Sequence, residues 1–203
     1  RSNINGMNAL HQGVEIDFAY KFSNQLTIEG LVSLGNWQWT SSDTVRFYDD
    51  DNNQVIDDSG NEIFAAFDAK GVHVGDAAQT QYGISLRYEP TSNSYLKIRS
   101  THFDDYYSDF DPLSLNGENA GRESWKIPSY QLVDLHAGYK INITAKNKID
   151  LKLSILNLLN TTYISDAQNN DPYNTNYTDF DAKSAGVFFG LGRRFNISAK
   201  INF

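Results

Sequence analysis

Seven stretches of this chain alternate apolar and polar residues with a period of two, and no other sequence feature limits the fold as tightly. In "GVEIDFAYKF", Val14, Ile16, Phe18 and Tyr20 share one face, while Glu15, Asp17 and Lys21 share the other. After the break Ser23-Asn24-Gln25, Leu26, Ile28, Gly30, Val32 and Leu34 oppose Thr27, Glu29 and Ser33. Such alternation describes a strand with two unlike faces, and the short break predicts a hairpin. The pattern returns as Tyr82, Ile84, Leu86 and Tyr88 against Gln81, Ser85 and Arg87, then turns through Pro90 and Asn93 into "YLKIRSTHF". Val133, Leu135, Ala137, Tyr139 and Ile141 follow, then Ile149, Leu151, Leu153 and Ile155 after a turn near "AKNK". The last stretch runs from Phe195 to Phe203, where the chain stops on an aromatic.

The links between these strands are lopsided. Turns after the first, third and fifth strands are short, whereas those after the second, fourth and sixth run roughly over 40–78, 104–129 and 160–192. Compact domains rarely hold several loops of that length without structure of their own. Transmembrane barrels do, with short turns at one end and long loops at the other. No run of about 18 apolar residues exists, which excludes a spanning helix and leaves a barrel open. Alternation alone also fits a soluble sandwich; the asymmetry favours the barrel. Tyr20, Phe22, Tyr88, Tyr139 and Phe203 lie at the short-turn end, and Trp37, Trp39, Phe103, Tyr106, Tyr107 and Tyr163 at the long-loop end. Two interfacial girdles flanking an apolar band are therefore expected.

Seven strands cannot close alone, because each unpaired backbone group in lipid costs several kcal/mol and bacterial barrels have even strand numbers. Residues before Arg1 are expected to supply the rest. The net charge of −8 argues against nucleic acid as a partner. With no cysteine, disulfides, thiolate metal sites and thiol catalysis are all excluded.

The stretches "QGVEIDFAYKF", "SLGNWQW", "VGDAAQTQYGISLRYEP", "IPSYQLVDLHAGYKI", "LKLSILNLLNTTYISDA" and "GVFFGLGRRFNISAKINF", in that order, resemble landmarks near the end of a TonB-dependent outer-membrane receptor of the Bacteroidetes type. The most specific is Asn157, Leu158, Leu159, Asn160 and Tyr163. One departure is Ala78, where the family often has proline. The resemblance implies an all-β, transmembrane antiparallel β-barrel, this chain being about the last seven strands of a 22-stranded barrel. Residues 1–203 would be the C-terminal part of that barrel domain, with the plug and earlier strands lying outside the chain. The implied function is TonB-dependent uptake across the bacterial outer membrane of a scarce nutrient such as a siderophore, cobalamin or glycan. Its implied partners are outer-membrane lipid, a small-molecule or glycan ligand, and a TonB-type energising complex reached through the absent N-terminal part. Phe195, Ile197, Ile201 and Phe203 resemble the terminal signal read by the barrel assembly machinery, through strand addition. The alternative of a different class is a surface or secreted β-sandwich that binds or adheres without transport.

Facing the interior of such a barrel would be Glu15, Asp17, Glu29, Arg87, Asp134, His136, Lys140, Asp150, Lys152 and Lys200. Mixed signs suit a wet wall of charge pairs. The first long link is acidic, and within it Asp49, Asp51 and Asn53 have the alternate spacing of oxygen ligands to calcium. The twelve-residue calcium frame fails, since Gln54 stands where glycine and Gly60 where glutamate is wanted, so a solvated acidic hairpin without cofactor is expected. Tyr173 and Tyr177 join these as ligand-contact candidates on the third link. Asp134 and His136 could seed an acid/base pair, but no G-x-S-x-G nucleophile elbow accompanies them and no enzyme is expected. His11, His73 and His102 show no metal spacing.

Overall fold

The computed structural model describes residues 7–144, 147–169 and 180–203. Its strands, in chain order, are β1 (Ala9–Lys21), β2 (Leu26–Trp39), β3 (Ser42–Arg46), β4 (Phe64–Asp68), β5 (Ala78–Thr91), β6 (Ser94–Tyr107), β7 (Asp109–Phe110), β8 (Lys126–Ile127), β9 (Tyr130–Asn142), β10 (Lys148–Leu156), β11 (Ile164–Asn169), β12 (Gly186–Phe189) and β13 (Arg194–Asn202). The seven expected strands form one antiparallel sheet in the order β1-β2-β5-β6-β9-β10-β13, with β8 paired to the end of β6. Each neighbour in that path is also the next long strand in the chain. The topology is a meander, open at β1 and β13 among the described residues.

Register shows what the alternation achieves. Tyr20, Ile28, Leu86, Ile98, Leu135, Ile155 and Phe195 stand side by side across all seven strands, an unbroken apolar row. One residue along each strand lies the row Lys21, Thr27, Arg87, Lys97, His136, Ser154 and Asn196, polar throughout. The sheet is thus apolar on one face and charged on the other. Val14, Ile16, Ile84 and Ile197 on the apolar face are exposed, with Ile197 at 79%. A soluble sandwich would bury this face against a second sheet. A sheet in lipid needs no such cover, since hydrocarbon solvates the side chains and the ladder satisfies the backbone.

Elsewhere on each face an aromatic covers a glycine of the neighbouring strand. The Phe18 ring lies over Gly30 on the apolar face and the Tyr95 ring over Gly138 on the polar face, in each case from the residue directly opposite. A side chain at either glycine would occupy the space of the ring, so the pairs are interlocked.

Most buried residues sit in the long links or where the sheet meets them, and the links are folded rather than structureless. β3 and β4 make a hairpin whose Val45 and Phe67 pack with Ala69, Val72, Phe110 and Leu115, flanked by Met7, Trp39, Leu113 and Phe180. Ala78, Tyr106, Ile127 and Ala167 form a second cluster. Fully burying a side chain such as Val72, Leu115 or Ile127 contributes about 1.5–3 kcal/mol. Backbone bonds brace the links: Asp68 N donates to Leu115 O at 2.8 Å, Gly121 N to Asp68 O at 2.8 Å, and β7 pairs in parallel with β11. The first and second links are also joined by a side chain, as His73 Nδ1 meets Glu123 Oε2 at 2.6 Å while the His73 ring stacks on Tyr107.

The girdle expected at the long-loop end is not built from the anticipated residues. Trp37 and Trp39 share the register face of Glu15 and Ser33, and Phe103 stands between Gln81 and Tyr130 on that same polar face. The period of two carries them inward, where Trp39 joins the link core. Tyr106 is buried as well. On the apolar face at that height, Tyr82 stacks on His102 with ring centres 4.7 Å apart. The short-turn belt of Tyr20, Tyr88 and Tyr139 does share the apolar face and is exposed.

Candidate functional site

Most of the chemistry of the sheet lies on its polar face, where register gathers the ten expected interior residues. Several are self-paired. Glu29 accepts from Lys97 and, at 2.8 Å, from Ser85 Oγ. Arg99 reaches Asp134 Oδ2 at 2.8 Å, and Arg87 reaches Glu89 Oε1 at 3.0 Å while its guanidinium lies 4.1 Å from the centre of the Tyr95 ring. Asp150 stands between Lys140 and Lys200 in the ladder. Half-exposed pairs of this kind contribute about 0–1 kcal/mol each. Their effect is to compensate charge along a wet wall.

Asp134 and His136 do not form an acid/base pair. Asp134 divides its oxygens between Arg99 and the Asn157 N–H, and His136 Nδ1 meets Ser154 Oγ at 3.0 Å. The partners of Asp134 could not be read from the local sequence, because Asn157 lies 23 residues away and Arg99 35.

The stretch Asn157 to Tyr163 is a knot between strands. Asn157, 3% exposed, donates from Nδ2 to Thr161 O at 2.9 Å and Leu191 O at 3.2 Å, and accepts the Thr161 N–H at 2.8 Å. Leu158 N donates to Val133 O, and Asn160 Oδ1 accepts the Arg193 N–H at 2.9 Å. Both asparagines have left-handed backbones, at φ 51° and 56°, which asparagine tolerates better than most residues. Leu159 is exposed. Tyr163 covers Gly190 and stacks on Tyr130, which in turn stacks on Phe103. The motif therefore leaves β10, crosses to β9 and ties the re-entry into β13.

Phe195, Ile197 and Ile201 lie on the apolar face of β13, opposite Ile155, Leu153 and Ile149. Phe203 follows them and is 93% exposed. In the acidic link, Asp49 Oδ1 accepts the N–H groups of Asn53 at 2.7 Å and Asp51 at 3.0 Å. Asp57 repeats the device with Asn61 and Ser59, at 2.8 and 2.9 Å. Asn52 and Gly60 take the left-handed position in each turn, at φ 64° and 84°. Loop closure thus uses the side chains of Asp49 and Asn53, and of Asp51 only its backbone N–H. Tyr173 and Tyr177 lie outside the described residues.

These turns give a pH prediction. Hydrogen bonds from Asn53 and Asn61, backbone first, hold Asp49 and Asp57 below the ordinary aspartate range. A depressed folded pKa contributes order above the unfolded value and loses it as pH falls through the folded one. Amide exchange at Asn53 and Asn61, corrected for intrinsic rates, should accelerate on acidification through that window. Unchanged protection below it would show that the carboxylates do not hold the turns.

Residues 2–158 match the sequence model of the family described as TonB dependent receptor-like, beta-barrel. The chain belongs to that family. TonB-dependent receptor barrels reside in the bacterial outer membrane, and the family is one of transporters rather than enzymes. Among solved structures, the ferric yersiniabactin uptake receptor FyuA from Yersinia pestis is similar over 98% of this chain, with 16% identity and a TM-score of 0.59. The chain covers 24% of that receptor. The ferric-catecholate import receptor Fiu from E. coli K12 aligns over 96% of this chain and 28% of its own length, with 12% identity and a TM-score of 0.44. No curated protein matches.

Proposed function

We propose that this chain is about the last seven strands of a 22-stranded receptor barrel that imports a scarce nutrient, such as a siderophore, cobalamin or glycan, through the outer membrane. The observation that carries this reading is the pair of adjacent seven-residue rows, one wholly apolar and one wholly polar. Such a sheet separates lipid from water. The charged face lines the solute path, the folded links shape the outer mouth, and a TonB-type complex supplies energy through parts of the receptor outside this chain. The sandwich alternative needs the apolar face buried, and among the described residues most of its large side chains are exposed or only half-buried.

Deleting the full-length gene in the source bacterium should abolish growth when one such nutrient is limiting. Growth should return with the intact gene, but not in a strain lacking the energising complex. Normal growth of the deletion strain under every limitation tried would sink the import reading.

We also assign Phe195, Ile197, Ile201 and Phe203 to recognition by the assembly machinery, through strand addition at an edge. Removing Phe203 from the full-length receptor should lower its outer-membrane abundance several-fold, on the order of 1 kcal/mol or more in recognition. Shortening the acidic hairpin should not. Equal abundance of the two variants on membrane blots would count against the assignment.

A further inference from the structure

One part of the polar face differs from the self-paired wall. Gly13 and Gly35 face each other across β1 and β2 and floor a cavity of about 370 Å³. Above them Trp37 stacks with His11, ring centres 5.2 Å apart and planes within 17°. Below them Ser33 Oγ donates to Glu15 Oε1 at 3.5 Å.

Trp37 is held in place by a buried polar side chain. Gln79, 1% exposed, accepts the Trp37 N–H at 2.7 Å and donates to Trp37 O and Val74 O, both at 3.1 Å. A buried carboxamide committed in this way fixes the tryptophan backbone at the end of the β2–β5 ladder. The indole leans over Gly35 so closely that a Cβ there would lie 2.8 Å from Nε1. No described residue accepts the indole N–H.

The cavity therefore offers an indole N–H that no described residue accepts, a carboxylate acceptor and an aromatic surface seated on the glycine backbone. An ammonium would suit Glu15 but cannot accept from the indole. An anion could accept from the indole but is opposed by Glu15 and by Asp17, the next residue of β1 on this face. A hydroxyl does both, since it donates and accepts. The volume lies near the lower end of the roughly 300–1,000 Å³ typical of small-molecule sites.

We infer that this cavity is a subsite for a neutral, hydroxyl-rich ring, a sugar residue or similar polyol, on the inner wall near the mouth. The inference rests on the import reading, which places this face inside the barrel. Trp37 and His11 form the shelf, Glu15 and Ser33 orient hydroxyls, and Gln79 is a positioning residue.

The test uses the purified full-length receptor in detergent and a mixture of neutral mono-, di- and trisaccharides of glucose, galactose and mannose. Saturation-transfer NMR should detect binding by the intact protein. Binding should weaken about tenfold or more in Gly35→Val, whose side chain takes the space the indole occupies and displaces it, and in Trp37→Phe, which keeps a ring but loses the N–H. Glu15→Gln, which trades the carboxylate for a weaker neutral acceptor, should weaken binding as well, whereas Lys152→Gln, on the same face but outside the cavity, should bind within about threefold of the intact protein. Heat-dependent gel migration checks that each barrel is folded; should Gly35→Val not fold, Trp37→Phe decides. No transfer from any of these sugars, or transfer unaltered in the folded cavity variants, overturns the subsite. Binding of lysine that Glu15→Gln abolishes, without sugar binding, also overturns it. Nutrient-limited growth reports separately on import, so a receptor that imports but binds none of these sugars loses only the subsite.

Discussion

Asn157→Val should destabilise the folded barrel by about 4 kcal/mol. Its carboxamide satisfies the Thr161 N–H and the carbonyls of Thr161 and Leu191. Each such group left buried without a partner costs about 1–3 kcal/mol. A β-branched residue at φ 51° adds about 1–2 kcal/mol of backbone strain. Asn157→Gly relieves the strain but not the lost bonds, and should fall between the two proteins. Equilibrium unfolding in urea from lipid vesicles, followed by tryptophan fluorescence, measures all three. A loss below about 1 kcal/mol for valine would mean that the knot relaxes without Asn157.

The second large effect concerns the apolar row. Ile98→Arg places a cation in the middle of that row, between Leu86 and Leu135, and should cost about 2–4 kcal/mol by the same measurement. Lys97→Leu, one residue away on the opposite face, should cost no more than about 1 kcal/mol, because its pair with Glu29 is solvent-screened. Equal costs at the two positions would contradict the assignment of faces to lipid and water.

The contrast between Ile98 and Lys97 was legible in the sequence because a period of two is a local property that any nine residues display. The links were less legible. β7 is two residues long and pairs with β11, nearly 60 positions away in the chain, and no local pattern announces such a contact. The faces of Trp37 and Trp39 could have been counted from Leu34, since Asn36 and Gln38 continue the apolar parity. The expectation of an interfacial girdle favoured the opposite orientation, whereas Trp39 packs against the cluster that holds Val45 and Phe67. Asn157 stood out in the sequence, but its partners Asp134 and Leu191 lie on other segments and made its role unreadable. Gln79 gave a weaker signal, as a polar residue following two alanines at the start of a strand.

Because the three links brace one another, the mouth does not depend on the continuity of any one of them. The acidic hairpin projects from this assembly, and its turns at Asp49 and Asp57 are closed by their own asparagines rather than by neighbours. Cleaving the chain between Asp58 and Ser59 would leave β3 and β4 paired and their core side chains buried. The same independence makes this tip a natural site for added sequence: on the proposed reading, which places the links at the outer mouth, an epitope inserted there would be displayed on the cell surface while the wall beneath kept its register.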